Sequence, residues 1–206
     1  MLIIDYGVGN IGSIINMFKK IGVEASLSSS KDEILAADKL LLPGVGSFDK
    51  GIQNLKSSGL IEILNKKVIE DKTPILGICL GMQLLMDSSE EGHEQGLGWI
   101  KGQVKKFDFL ENEEKLKVPH MGWNVLLSPQ KNDLFKDFKD EDRFYFSHSY
   151  HAVCENDDNI LAQTKYGYNF TSSIYKNNIF GVQFHPEKSH KYGMKLLKNF
   201  SEIPTC

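Results

Sequence analysis

Ile75-Leu76-Gly77-Ile78-Cys79-Leu80-Gly81-Met82-Gln83-Leu84-Leu85-Met86 joins a short, wholly apolar run to a segment with helical spacing, and a cysteine stands at the join between two glycines. Such a run, preceded by Pro74, reads as a buried strand over residues 75–79 followed by a helix over 80–86. A buried strand that passes at once into a helix belongs to an α/β fold with a parallel sheet. Glycine two residues to either side of the turning residue is the sequence form of a nucleophile elbow, with cysteine in place of serine, because side chains there would collide in so sharp a turn. The elbow lifts the sulfur out of the sheet near a helix N-terminus, where a thiolate is favoured. Cys79 also reads as a small, buried apolar residue, so these five residues alone leave both roles open.

The chain N-terminal to this stretch repeats the alternation. Residues 2–4 form a candidate strand, closed by Gly7-Val8-Gly9-Asn10, and Ile11, Ile14, Ile15, Phe18 and Ile21 then recur at helical spacing. Residues 23–27 and 39–42 read as the second and third strands, and Leu60, Ile61, Leu64 and Val68 give residues 60–69 a helical stripe. From about Gly96 onward the long helices stop. Short β-rich runs at 101–107, 143–146, 160–164, 170–175 and 179–184 suit a mixed or antiparallel extension of the same sheet. The chain closes on a helix carrying Tyr192, Leu196 and Phe200 four apart. With no repeat, no low-complexity tract and no linker rich in Pro, Gly or Ser, the sequence reads as one domain over residues 1–206, a mostly parallel central sheet with helices on both faces.

Composition narrows the function. A chain of 206 residues with 41% hydrophobic and 25% charged residues is an ordinary globular domain. A net charge of −3 argues against nucleic acid or an anionic membrane as the main partner. The lysines at 105, 106, 115 and 117 read as solvated faces. Three cysteines, Cys79, Cys154 and Cys206, make no disulfide framework and suit a reducing compartment. The apolar start stops at Asp5, unlike a signal peptide, and no run approaches a membrane span, so the cytoplasm is the expected location.

Two further motifs bear on chemistry. In His185-Pro186-Glu187 the proline pushes His185 into extended conformation. On an extended chain Glu187 shares a face with His185, where a carboxylate would orient the imidazole. The segment follows the 179–184 strand, so His185 stands at the carboxyl edge where open α/β sheets bind ligands. Pro43-Gly44-Val45-Gly46-Ser47-Phe48 follows the third strand onto the same edge, and its glycines let backbone N–H groups turn toward an oxyanion. Taken singly, these read equally as a turn with a surface ion pair and as an ordinary strand-to-helix turn. Together with the elbow they favour a Cys-His-Glu triad. Gly7-Val8-Gly9-Asn10-Ile11-Gly12 matches G-x-G-x-x-G, but the second strand ends in Ser28-Ser29-Ser30 with no acid to hold a ribose, which argues against a dinucleotide. His185, Glu187 and His190 lack the spacing of an H-E-x-x-H metal site. No cofactor and no metal are expected, and Cys154 and Cys206 read as structural or incidental.

Gly77 to Gln83, Pro43 to Phe48 and Gly181-Val182-Gln183-Phe184-His185-Pro186-Glu187-Lys188-Ser189 resemble the signatures of class I (triad-type) glutamine amidotransferases. Ile4-Asp5-Tyr6-Gly7-Val8-Gly9-Asn10, Lys117-Val118-Pro119-His120-Met121-Gly122-Trp123-Asn124 and Tyr145-Phe146-Ser147-His148-Ser149-Tyr150 narrow the resemblance to the HisH family, the glutaminase subunits of imidazole glycerol phosphate synthase. The resemblance runs from the first strand to the last helix. It implies catalysis by Cys79, His185 and Glu187, and an oxyanion hole from the backbone of Leu80 with Val45 or Gly46. It implies glutamine binding by Gly44, Gln83, His148, Ser149 and Tyr150. It further implies a heterodimer with a (β/α)8-barrel cyclase that receives the ammonia, docked over His120, Met121 and Trp123. Gly98-Trp99-Ile100-Lys101-Gly102 and Ser147 depart from the commoner histidine-pathway pattern, which leaves a sugar amidotransferase as a second acceptor. Intracellular-protease-like enzymes share the cysteine elbow, but their histidine directly follows the cysteine, where this chain has Leu80. A non-catalytic scaffold relative is disfavoured by the presence of all three triad members.

Overall fold

Side chains alternate across a strand, so a strand apolar at every position must be covered on both faces. The first strands meet that condition. In the computed structural model, which describes residues 1–109, 116–127 and 129–205, β1 (Leu2–Ile4), β3 (Leu40–Leu42) and β4 (Ile75–Ile78) are buried at every position. Leu2, Ile4, Leu40, Leu42 and Ile75 enter one core, with Phe48, Ile52, Leu60 and Leu64; Ile3, Leu41, Leu76 and Ile78 enter the other, with Phe18, Leu196 and Phe200. Helices α2 (Lys31–Ala36), α3 (Phe48–Ser57), α4 (Leu60–Asn65) and α5 (Leu80–Leu84) contribute to the first core. The second core is covered by α1 (Ile11–Lys20) and α6 (His190–Glu202). Full burial of a phenylalanine such as Phe18 or Phe200 stabilises by about 2–3 kcal/mol.

Among the described residues the main sheet has ten strands. Strands β2 (Ser26–Ser28), β1, β3, β4 and β12 (Ile179–Val182) run parallel in that order. Beyond β12 the pairing turns antiparallel through β11 (Tyr168–Lys176) and β9 (Tyr150–Cys154) to β6 (Gly102–Lys106). At that edge β5 (Ser88–Ser89) pairs with β6, and β10 (Ile160–Tyr166) pairs with β11. The expected extension of the sheet is thus present.

The 143–146 run, however, does not join that sheet. It lies in β8 (Arg143–His148), which forms a separate two-stranded ribbon with β7 (His120–Val125). Phe144 and Phe146 on its inner face pack into the second core, where they serve as a cover for the sheet.

Other boundaries shift for local reasons. The second strand covers Ser26–Ser28 and not 23–27, because it pairs only with the three residues of β1, while Val23 and Ala25 pack on the second core. The helix read over 80–86 stops at Leu84, since the returning segment captures its end: Leu97 N–H donates to Leu84 O and Trp99 N–H to Leu85 O. Residues 66–70, overlapping the end of the 60–69 helix, form a π-turn. Helix α2 is capped by Ser30, whose hydroxyl accepts from Glu33 N–H. Lys115 and Cys206 lie outside the described residues. Among those residues no helix is long and apolar enough to cross a membrane.

The tightest approach in the fold is at the elbow. A β-carbon on Gly81 would overlap the carbonyl oxygen of Leu42, and one on Gly77 would lie 2.7 Å from Gly81 O. Gly81→Ala should therefore cost about 2–3 kcal/mol, as overpacking in a rigid backbone contact does. Urea unfolding checks this, and a loss under about 0.5 kcal/mol, the range of neutral surface changes, would contradict it.

Candidate active site

Strand β4 delivers Cys79 to the carboxyl edge of the sheet, where the backbone turns at φ 53° and ψ −108° before α5 begins. A non-glycine residue at such φ is strained and points its side chain out of the strand line. Cys79 Sγ faces a cleft of about 430 Å³ lined by Val45, Gly46, Leu80, Gln83, Ser147 to Tyr150 and His185, and also by Glu91, Pro119 and Lys188. The oxyanion-hole candidates Leu80, Val45 and Gly46 line the same cleft as Cys79, and Gly46 has φ +106°. Gly44 does not line the cleft; it is buried behind the elbow, packed on Leu80 and Tyr6. Tyr6 donates its hydroxyl to Pro43 O, which fixes the start of the glycine loop. Burial, then the charge of Cys79, push the Tyr6 hydroxyl well above the usual phenol range, so it remains a donor. A larger surface hollow of about 650 Å³ lies at the opposite edge of the strands, lined by Met1, Lys19, Glu24 and neighbours, with no cysteine or histidine in its lining.

His185 is 3% exposed and extended, as proline at 186 requires. Its Nδ1 lies 2.8 Å from Glu187 Oε1, and a carboxylate only accepts, so Nδ1–H donates. The other ring nitrogen is left to interact with Cys79, which lines the same cleft. Glu187 does not reach the ring along an extended strand, however. Residues Pro186–Lys188 form a 3₁₀ turn with proline at its first position, and that turn swings the carboxylate back onto the imidazole. Both side chains of this ion pair are almost fully enclosed, and Glu187 Oε2 has no hydrogen-bond partner among the described residues. Burial alone would strip the proton from His185. The hydrogen bonds and charges of Cys79 and Glu187 outweigh it and raise the ring to about 10. A nucleophile, a charged imidazole and an orienting carboxylate in contact can carry out acyl transfer.

The cleft wall opposite His185 is set by one carbonyl. Tyr150 O accepts from Gln83 Nε2 at 3.1 Å and from His148 Nδ1 at 2.7 Å. With its Nδ1 a donor, neutral His148 must accept at Nε2, so His120 Nδ1–H donates to it at 3.1 Å. Burial drives His148 down to about 3 and His120 to about 4, so both rings are uncharged.

His120, expected on the partner-facing surface, is therefore not there. It is 3% exposed and stacks between Tyr166 and Phe146 at 4.1 and 4.8 Å, because the β7 pleat turns it inward. Its neighbours on the outward pleat are exposed, Met121 at 61% and Trp123 at 42%. Trp123 stacks on His190 within 6° of parallel.

Glu91 and Lys188 escaped the sequence reading. Glu91 is the carboxylate of the cleft wall and accepts from Phe48 N–H at 2.8 Å, which ties it to the helix that follows the glycine loop. Its loop is held by Asp49, which accepts from His93 and Glu94 amides; those bonds lower the Asp49 carboxyl. Cys154 is half-buried, its thiol pushed up to about 12 by burial, with no histidine-carboxylate pair among its described contacts. Among the described residues no three His, Cys, Asp or Glu side chains are grouped as metal ligands.

The raised His185 has a consequence for pH. Unfolded histidine titrates near about 6.5. The charged ring therefore contributes stability in full below about that pH, and the contribution is lost as pH rises through about 10. Glu187→Gln removes one of the two charges that raise the ring, so its titration, followed by ring-proton NMR, should fall by about one unit or more. The urea-measured stability should then start to fall at lower pH than in the wild type. An unmoved His185 titration would mean that Glu187 does not govern the ring.

The family model "Glutamine amidotransferase class-I" matches residues 2–203. The HisH 2 subunit of imidazole glycerol phosphate synthase from Methanococcus maripaludis is 58% identical over 198 residues, covering 96% of each chain. The protein of the same name from Pseudomonas aeruginosa is 47% identical, with 98% of this chain and 99% of that one covered. Among solved structures, one described as a glutamine amidotransferase superposes with TM-score 0.70 at 18% identity, covering 98% and 97% of the two chains. A chain of PurLQS from Thermotoga maritima superposes with TM-score 0.67 at 19% identity, covering 97% and 96%. The structural likenesses carry the fold, the sequence relatives carry the family, and the chain belongs to the class I glutamine amidotransferases, among the HisH subunits of imidazole glycerol phosphate synthase.

Proposed function

We propose that this chain hydrolyses glutamine through Cys79, His185 and Glu187 and passes the ammonia to a synthase partner. The observation that carries the reading is the enclosed His185–Glu187 pair brought into the same cleft as Cys79, a cleft of amino-acid size. Cys79 attacks the side-chain amide carbon of glutamine, and the oxyanion is held by the N–H of Leu80 with that of Val45 or Gly46. His185 gives its proton to the departing nitrogen, which leaves as ammonia and a γ-glutamyl thioester. Water, deprotonated by the now neutral His185, attacks the thioester; glutamate leaves and the sulfur returns as an anion. Gln83 and the backbone of 148–150 hold the substrate, and Glu91 is placed to meet its α-ammonium group. Gly44 acts from behind, by bringing the loop against Leu80.

The acceptor is a (β/α)8-barrel cyclase docked over the exposed Met121 and Trp123, which makes imidazole glycerol phosphate and an aminoimidazole carboxamide ribonucleotide in the cytoplasm. The names of the full-length relatives support this partner. A second reading, supply of ammonia to a surface-sugar amidotransferase, draws on Ser147, which lines the cleft where the commoner pattern has valine. Trp99 does not favour it: that side chain is a core residue, with Nε1–H donating to Asn65 Oδ1 at 2.7 Å.

With its partner bound, Cys79→Ala should lose glutamine hydrolysis by a factor of about 10³ or more. The same complex should still form the partner's product when ammonium is supplied at raised pH, since free ammonia replaces the missing half-reaction. Retained hydrolysis would reject Cys79 as the nucleophile. Rescue with the cyclase gives the imidazole product, and rescue with a sugar amidotransferase gives an amidino sugar.

A further inference from the structure

Gln183 lies between β12 and His185 and is wholly buried, its backbone N–H donating to Ser172 O at 2.9 Å. A buried amide needs partners for both of its ends. Gln183 Oε1 accepts from Gln83 Nε2 at 3.0 Å, and Gln183 Nε2 lies 3.6 Å from Cys79 Sγ. The orientation of both amides is forced. Tyr150 O can only accept, so the atom of Gln83 that faces it is the NH2 group. That same NH2 group faces Gln183, which must therefore present its oxygen to Gln83 and its own NH2 to the sulfur. The amide cannot turn its oxygen to Cys79 without setting two NH2 groups against each other.

We infer that Gln183 is a second, permanent hydrogen-bond donor to the Cys79 sulfur, which holds the nucleophile as an anion aimed into the cleft. This rests on the reading of Cys79 as the nucleophile and adds a residue to it. The two donors differ in kind. His185 gives its proton away during acylation and recovers it during deacylation, so its hydrogen bond to sulfur changes from step to step. An amide keeps its protons throughout. Through Gln83 the donor is also tied to the cleft wall at Tyr150, so the wall that receives the substrate and the sulfur that attacks it are set by one chain of hydrogen bonds.

The test is the pH dependence of Cys79 alkylation by iodoacetamide, read by peptide-resolved mass spectrometry, in wild type, Gln183→Met and Gln183→Glu. Met keeps the length and loses the donor; Glu keeps the shape and faces the sulfur with acceptors. The alkylation midpoint should rise by about one pH unit in Gln183→Met, the size of a charged hydrogen bond to a soft acceptor, and further in Gln183→Glu. Glutamine turnover with the partner bound should lose about tenfold in kcat, with KM changed by less than about twofold. Unshifted midpoints in folded variants would overturn the inference. Where a Gln183 variant does not fold, Gln83→Met frees the amide to rotate and should raise the midpoint by a smaller step; no rise there would equally overturn it. Alkylation reads the sulfur without glutamine. This role can therefore fail while wild-type glutamine hydrolysis stands, and the reverse can also hold.

Discussion

The backbone of Cys79, held at φ 53°, is the constraint on which the site depends. Such a conformation costs about 1–3 kcal/mol for a residue with a side chain. It persists because strand and helix are locked together around it: Cys79 N–H donates to Val182 O at 2.8 Å and Cys79 O accepts from Gln83 N–H at 3.2 Å. The absent side chains at Gly77 and Gly81 let α5 press against β4 and the end of β3. The same packing places the 43–46 loop beside the sulfur. A single backbone turn thus sets Cys79, the 43–46 loop and the cleft floor together.

A second constraint is the Tyr150 carbonyl. It fixes the tautomer of His148 and, through it, that of His120; it also fixes the amide of Gln83 and, through that, of Gln183. One acceptor on β9 therefore orders four side chains from β7, β8, α5 and the end of β12. The neutral state of both histidines is part of the device, since a charged ring would need a donor to become an acceptor.

The elbow and the His-Pro-Glu segment were legible in the sequence because their constraints are local. Glycine at ±2 and proline at +1 act on the backbone of the residue beside them. The two faces of the sheet were legible for a similar reason, since continuous apolar strands demand double cover. What escaped was set by distant partners. The β7–β8 ribbon carries Gly122 and Asn124 in a half-exposed strand, and only its packing on the second core makes it a cover. The inward turn of His120 depends on Tyr166 and Phe146, and the place of Glu91 on Asp49. Gln183 stands inside the Gly181 to Ser189 motif, but its partner Gln83 is 100 residues away.

Cleavage of glutamine through a thioester on Cys79 is tested most directly by rapid acid quench of the partner-bound protein turning over isotope-labelled glutamine, followed by peptide mapping. A labelled γ-glutamyl group is expected on the peptide that carries Cys79 and on no other, and it should be absent in Cys79→Ala. Turnover with the label on another residue, or turnover undiminished in Cys79→Ala, would contradict it.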